Sequence, residues 1–130
     1  MVDDDIFNSD IAMNMLALMG FEVHQAYNGD VAIQMCEDFL RINKKVDLIL
    51  MDYNMPGKCG DVTTKILREQ RFDPILKDTP IFGVTAQPDQ KTKSACLESG
   101  MNLVENKPFD FNKLQLILQK FKIVDPIVET

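Results

Sequence analysis

Leu48-Ile49-Leu50-Met51-Asp52, followed by Tyr53-Asn54-Met55-Pro56-Gly57, sets an acid where an apolar run gives way to a turn. A short apolar run bounded by Pro and Gly reads as a buried strand. Asp52 is therefore expected where a strand leaves the core and meets water. Three other segments end in the same manner, at Asp3-Asp4, Thr85 and Lys107. Carboxylates, a hydroxyl and an ammonium at strand ends suit a site that accepts a phosphoryl group and binds a cation.

Outward from this run, strands and helical segments alternate. Ile11, Met15, Leu18 and Met19 recur at helical spacing before Gly20, and Phe21 to Tyr27 reads as a strand. Asn28-Gly29 opens a helix carrying Val31, Met35 and Phe39, and Val46 to Met51 is the next strand. Gly60 to Gln70 reads as a helix with Val62, Ile66 and Leu67 inward, and Arg71 to Pro80 as a polar loop. A short strand over Ile81 to Val84, a helix over Asp89 to Ser99 closed by Gly100, and a strand over Asn102 to Asn106 follow. Phe111, Leu114, Leu118 and Phe121 form one stripe of a last helix. This alternation predicts an α/β fold, a parallel sheet covered on both faces. Sites in such sheets lie beyond the carboxyl ends of the strands, at the topological switch point. Asp52, Thr85 and Lys107 fall at those ends.

The composition is that of one soluble domain. The chain has 130 residues, 45% of them hydrophobic and 26% charged. A formal net charge of −6 and the lack of any Lys/Arg cluster argue against a nucleic-acid surface. No basic n-region with an apolar h-region begins the chain, and no apolar stretch has bilayer length, so no membrane contact is expected and the location is expected to be cytoplasmic. Cys36, Cys59 and Cys96 form no CxxC pair, which argues against zinc and dithiol chemistry. Cys36 and Cys96 read as buried thiols, and Cys59, in a Gly-flanked loop, as more accessible. The eight Met residues point to an adaptable core.

Asp3 and Asp4 brought close to Asp52 would crowd like charges, which costs energy unless a cation neutralises them or a pKa rises. Hard carboxylate oxygens with waters suit Mg²⁺, and the backbone carbonyl of Asn54 can complete the set. A carboxylate can also attack phosphorus to give an aspartyl-phosphate. The moving phosphoryl group needs positioning and charge neutralisation, which Lys107, the Thr85 hydroxyl and the Ala86 N–H can add. Taken singly, each feature has a bland reading: an acidic helix start, a cap, a surface lysine. The joint order Asp-Asp, Asp-x-x-Met-Pro, Thr-Ala, Lys-Pro is far more specific.

In that order the chain resembles the receiver domain of two-component response regulators and hybrid histidine kinases. Val2-Asp3-Asp4, Met51-Asp52-Tyr53-Asn54-Met55-Pro56, Gly60, Val84-Thr85-Ala86 and Asn106-Lys107-Pro108-Phe109 carry the resemblance. It implies a flavodoxin-like, doubly wound sheet of five parallel strands in the order 2-1-3-4-5, flanked by helices. It implies a receiver domain over residues 1–123 and a C-terminal tail over 124–130. By position, Asp52 is the phosphoacceptor. Asp4 binds Mg²⁺ directly, Asp3 assists through water, and the Asn54 carbonyl is a further ligand. Thr85 and Lys107 contact the phosphoryl group, and Asn54 and Gln87 tune its lifetime. The implied donor is a phosphohistidine on a histidine kinase or a histidine phosphotransfer protein, so the domain is a signalling switch and not an enzyme acting on a separate substrate. His24, in a predicted strand, reads as structural.

Three positions depart from the family pattern. Val104 stands where an aromatic is common, three residues before the lysine. Cys59 replaces an acid in the loop after Met55-Pro56. The third departure concerns the first strand, which should precede Asp3 where only Met1 and Val2 stand. A first strand so shortened is expected to behave as a truncation. Each apolar side chain not buried forfeits roughly 1.5–3 kcal/mol, and several together rival the ~5–15 kcal/mol stability of a domain. A pseudo-receiver, a binding module that keeps the fold without phosphorylation, is the alternative function. An aspartyl-nucleophile phosphatase fits less well because Asn54 is not an acid, and a flavodoxin-like electron carrier lacks a phosphate-cradling loop. The shortened strand predicts that the 130-residue chain is weakly stable or self-associated. A cooperative melt at monomer mass and ordinary stability, read by calorimetry with sedimentation, contradicts it.

Overall fold

The computed structural model describes residues 2, 14, 16–55, 57–85, 89–106, 115 and 118–119. Its elements are α1 (Gly29–Arg41), β1 (Ile49–Asp52), α2 (Gly60–Leu67), a 3₁₀ turn (Gln70–Phe72), α3 (Asp73–Leu76), β2 (Ile81–Thr85), α4 (Gln90–Ser99) and β3 (Leu103–Asn106). The strands pair in parallel in the order β1-β2-β3. Ile49 stands opposite Ile81 and Asp52 opposite Val84, while Thr85 stands opposite Asn106. Val2 extends this sheet, bridging in parallel to Met51 on one side and Ala26 on the other. Ala26, Val2, β1, β2 and β3 thus reproduce the order 2-1-3-4-5, with its first two positions reduced to single bridges among the described residues.

The sheet buries both faces, as alternation along each strand requires. Ile49, Met51, Ile81 and Val104 join Ala32, Cys36, Leu67, Phe72 and Cys96 in one layer. Leu50 and Phe82 point the other way and meet Leu16 and Leu118. Met51, Met55 and Met101 are buried, in keeping with a Met-adapted core. Gly83 is required by one of them: a Cβ there would lie 2.4 Å from the Met101 sulfur.

Local signals set the helix ends. Asn28 caps α1, its side chain accepting from the Val31 N–H at 2.9 Å, and Asp89 caps α4 through the Thr92 N–H at 2.7 Å. Gly100 ends α4 in the left-handed conformation, φ 116°.

Several expectations shift. Phe21–Tyr27 does not form the expected strand among the described residues, where only Ala26 of this run bridges to a neighbour, Val2. The strand expected from Val46 begins at Ile49, where pairing with Ile81 starts. In α1 the buried stripe is Gly29, Ala32 and Cys36, while Val31 is exposed. The helix is pressed so close to α2 that a Cβ on Gly29 would lie 2.2 Å from the Thr63 hydroxyl, and only small side chains fit there. In α2 the inward residues are Thr63, Thr64 and Leu67, and Val62 is exposed. Thr63 and Thr64 donate to the carbonyls of Cys59 and Gly60, which lets their hydroxyls be buried satisfied. Leu18 is exposed, and Leu16 takes the core position. The expected polar loop over Arg71–Pro80 contains the 3₁₀ turn and α3, with Phe72, Ile75 and Leu76 buried. Pro74 fits the first turn of α3, where its missing N–H has no partner to lose. Of the last-helix stripe only Leu118 is described, and it is fully buried. Phe111, Leu114 and Phe121, like Ile11 and Met15, lie outside the described residues.

Arg68 knits the end of α2 to its surroundings. Its guanidinium donates to the carbonyls of Leu76, Thr79 and Gly100 and to the Asn102 side chain. Partial burial draws its pKa down. Among the described residues, no helix is long and apolar enough to cross a membrane.

The buried thiols give the fold an alkaline limit. Burial pushes Cys36 and Cys96 up from 9.0 to about 11. A raised acid is held neutral by the folded state, so its contribution is full below the unfolded value and is lost as pH rises toward the folded one. Stability is expected to fall between about pH 9 and 11, by on the order of 2 kcal/mol through Cys36 and less through Cys96. Urea titrations across that range check this; in Cys36→Ala the slope against pH should be shallower, whatever its absolute stability.

Candidate functional site

Asp52 is the last residue of β1 and is wholly buried. Its N–H donates to the Val2 carbonyl at 2.8 Å, and the N–H of Tyr53 donates to Val84 at 2.9 Å. The main chain is therefore held by the neighbour on one side at Asp52 and by the neighbour on the other at Tyr53. The carboxylate Oδ1 accepts from the Asn54 N–H at 3.1 Å, which turns the chain sharply after the strand. Thr85, buried at the end of β2, donates through its hydroxyl to the Asn54 side-chain oxygen at 3.3 Å. Asp52, Asn54 and Thr85 thus meet at the carboxyl end of the sheet.

The loop after Asp52 returns tightly under the site. The Gly60 N–H donates to the Tyr53 carbonyl at 2.9 Å. A Cβ on Gly60 would lie 2.4 Å from the Asp52 carbonyl oxygen and 2.9 Å from the Tyr53 Cα. Lys58 pairs with Asp30 at the start of α1 and ties the loop to that helix. Cys59 is half-buried, more accessible than Cys36 and Cys96, as its loop position implied. Burial raises the Tyr53 phenol pKa, with Asp61 and Cys59 adding to the effect.

The expected site residues divide into two sets. Asp52, Asn54 and Thr85 are brought together. Asp3, Asp4 and Lys107 lie outside the described residues, as do Ala86 and Gln87. Asn106, the residue before Lys107, ends β3 opposite Thr85. The hard oxygens of the Asp52 carboxylate and of Asn54 at its rim are donors of the type Mg²⁺ takes, so the described part of the donor set fits that ion. His24 packs edge-on against Phe39, with ring centroids 5.1 Å apart, and lies beside Glu22, in keeping with a structural role. Not singled out from the sequence are the Lys58–Asp30 pair and Asp61, one carboxylate oxygen of which is buried without a hydrogen-bond partner among the described residues.

The family model of the response regulator receiver domain matches residues 1–119. The chain belongs to the receiver domain family. This receiver is 35% identical over 120 residues to hybrid signal transduction histidine kinase M of Dictyostelium discoideum, a match covering 92% of the chain and 5% of that kinase. It is 34% identical to two-component response regulator 24 of Arabidopsis thaliana, covering 92% of the chain and 79% of that protein. Among solved structures, the receiver domain of the sensor histidine kinase PA1611 of Pseudomonas aeruginosa, with a magnesium ion coordinated in its active site cleft, superposes with a TM-score of 0.74 at 31% identity, covering 92% of each chain. The chemotaxis protein CheY4 of Vibrio cholerae gives a TM-score of 0.80 at 28% identity, covering 92% of this chain and 93% of that one. The receiver spans only a small part of the hybrid kinases it matches.

The close approach at Gly60 yields a prediction. In Gly60→Ala the new methyl meets backbone atoms, which cannot swing aside. The substitution is expected to cost about 1–3 kcal/mol, read as a lowered urea midpoint. An unchanged midpoint would contradict the tight return under Asp52.

Proposed function

We propose that this receiver is a phosphorylation switch with Asp52 as the acceptor, in a domain over residues 1–123 followed by a tail over 124–130. The buried Asp52 carboxylate at the carboxyl end of β1, linked through Asn54 to the Thr85 hydroxyl, is the observation that carries the reading. A carboxylate oxygen of Asp52 forms a bond to phosphorus while the phosphorus–nitrogen bond of a donor phosphohistidine breaks, and the imidazole keeps the electron pair and takes up a proton. The donor belongs to a histidine kinase or a histidine phosphotransfer protein. Lys107 places its ammonium against a phosphoryl oxygen, and Thr85 offers its hydroxyl to another. Asp4, Asp3 through water, Asp52 and the Asn54 carbonyl would hold Mg²⁺, which would supply positive charge to offset that of the phosphoryl oxygens.

The output is electrostatic. Phosphorylation replaces one negative charge by roughly two and adds acceptor oxygens. Thr85 now bonds Asn54; a phosphoryl group on Asp52 offers its hydroxyl a more strongly charged acceptor. Re-aiming Thr85 biases the segment that follows β2 and, through it, the surface a partner reads.

Incubation with acetyl phosphate and Mg²⁺, followed by intact mass, tests the proposal. The unmutated chain is expected to gain one phosphoryl group and Asp52→Asn none. Thr85→Ala should still accept the group but lose the change in partner binding. Failure of the unmutated chain to gain mass, with native folding verified by its melt, would leave a binding module that is not phosphorylated.

A further inference from the structure

The loop that returns from Asp52 is held unevenly. Beside the sheet its amides are bonded: Asn54 donates to the Asp52 carboxylate at 3.1 Å, and Met55 and Gly60 donate to the Tyr53 carbonyl at 3.2 and 2.9 Å. The Met55 side chain is buried there. The outer bend has less to hold it. Gly57 takes the left-handed conformation, φ 80°, and beyond its chain neighbours no atom stands within 4 Å of where a Cβ would be. Among the described residues, the hydrogen bond or ion pair that reaches from Gly57–Lys58 to another element is the one between Lys58 and Asp30. That contact is prepared at both ends. Gly29 leaves room for the lysine stem, since a Cβ there would lie 3.1 Å from the Lys58 Cβ. Asp30 stands in the first turn of α1, a 13-residue helix capped by Asn28, where the helix dipole favours an acid.

We infer that Lys58 and Asp30 are positioning residues for the site: they brace the loop against α1 and so hold the Asn54 carbonyl where it can bind Mg²⁺. This rests on the reading of that carbonyl as a metal ligand. Neither side chain is itself a ligand; the pair acts through the loop backbone. Its side chains are 37% and 73% exposed, so its effect is graded and not all-or-none. Bracing and plain charge give different signs. Acting only through their fields, loss of the Lys58 cation would tighten Mg²⁺, loss of the Asp30 anion would weaken it, and the two losses together would cancel. Acting as a brace, either loss weakens Mg²⁺ binding, and both together are no worse than one.

Calorimetric titration of the full, unphosphorylated chain with Mg²⁺ tests this, with amide hydrogen exchange at Asn54 and Met55 read alongside. Lys58→Met and Asp30→Asn are each expected to raise the Mg²⁺ Kd about two- to fivefold and to speed exchange at both amides. The double variant should match the singles, and Lys58→Arg, which keeps the charge and can remake the pair, should match the unmutated chain. Tm should move by less than about 3 °C in all of them, which separates bracing of the loop from a general loss of stability. Opposite shifts of Kd in the two single variants, or no shift in either while the unmutated chain binds Mg²⁺, overturns the inference alone. An unmutated chain that binds no Mg²⁺ overturns the metal-ligand reading and the inference with it.

Discussion

Val2 donates its N–H to Leu50 and accepts from the Asp52 N–H, each at 2.8 Å, and this pair of bonds holds the flank of β1 on which the site stands. On its far side it bridges to Ala26, which leads through Asn28 into α1. Among the described residues it makes the β-bridge that joins the segment before α1 to the sheet, beside the packing of Phe21 and Val23 against Leu50 and Phe82. The same bond fixes the main chain at Asp52 itself. The next N–H, that of Tyr53, goes the opposite way, to Val84. Two successive amides bound to opposite neighbours leave the strand end little freedom to rotate, so the carboxylate is aimed by the sheet and not by its own rotamer alone.

The packing beneath the site follows from that constraint. A chain that turns immediately after a pinned strand end must come back close to it, and Gly60 is where it does so. With no side chain at that position, α2 begins against the Asp52 carbonyl. The next residues on its inward face, Thr63 and Thr64, are polar but satisfied within their own helix. Small residues recur on the buried face of α1, at Gly29, Ala32 and Cys36, and Gly29 lies against Thr63 of α2. The layer of helices on this side is drawn close to the sheet, and bulkier apolar residues such as Met35 and Phe39 pack at its margin.

Much of this was legible in the sequence, for identifiable reasons. Strand β2, the ends of α4, the parallel order and the place of Asp52 rest on strong local signals: an unbroken apolar run, an Asp cap, a left-handed Gly. The errors have one kind of cause. Met35, Phe39, Ile66 and Leu67 pack inward as expected, but Val31 and Val62 are exposed and the most buried places go to glycine, alanine and threonine, because close approach between elements favours small residues and hydrophobicity does not encode distance. Phe21–Tyr27 has the composition of a strand, but a strand is a ladder with a neighbour, and among the described residues only Ala26 of this run forms a β-bridge. Phe72, Ile75 and Leu76 were hidden by the polar residues and prolines around them. At the site, the residue types and their order were readable; the hydrogen bond from Thr85 through Asn54 toward Asp52 was not, since it depends on how β1 and β2 register.

That register also bears on how such a site can switch. Asp52 stands opposite Val84, and Thr85 lies one residue further along β2, opposite Asn106 at the end of β3. The described groups therefore step outward across the sheet from β1 toward the end of β3. Of these strands β2 is held by ladders on both sides, to β1 and to β3, and resists displacement. In the proposed switch, a new charge at Asp52 would act on the Thr85 hydroxyl, which donates to Asn54 across the ends of β1 and β2. One fold can carry different outputs when the sheet is shared and the surfaces around it differ.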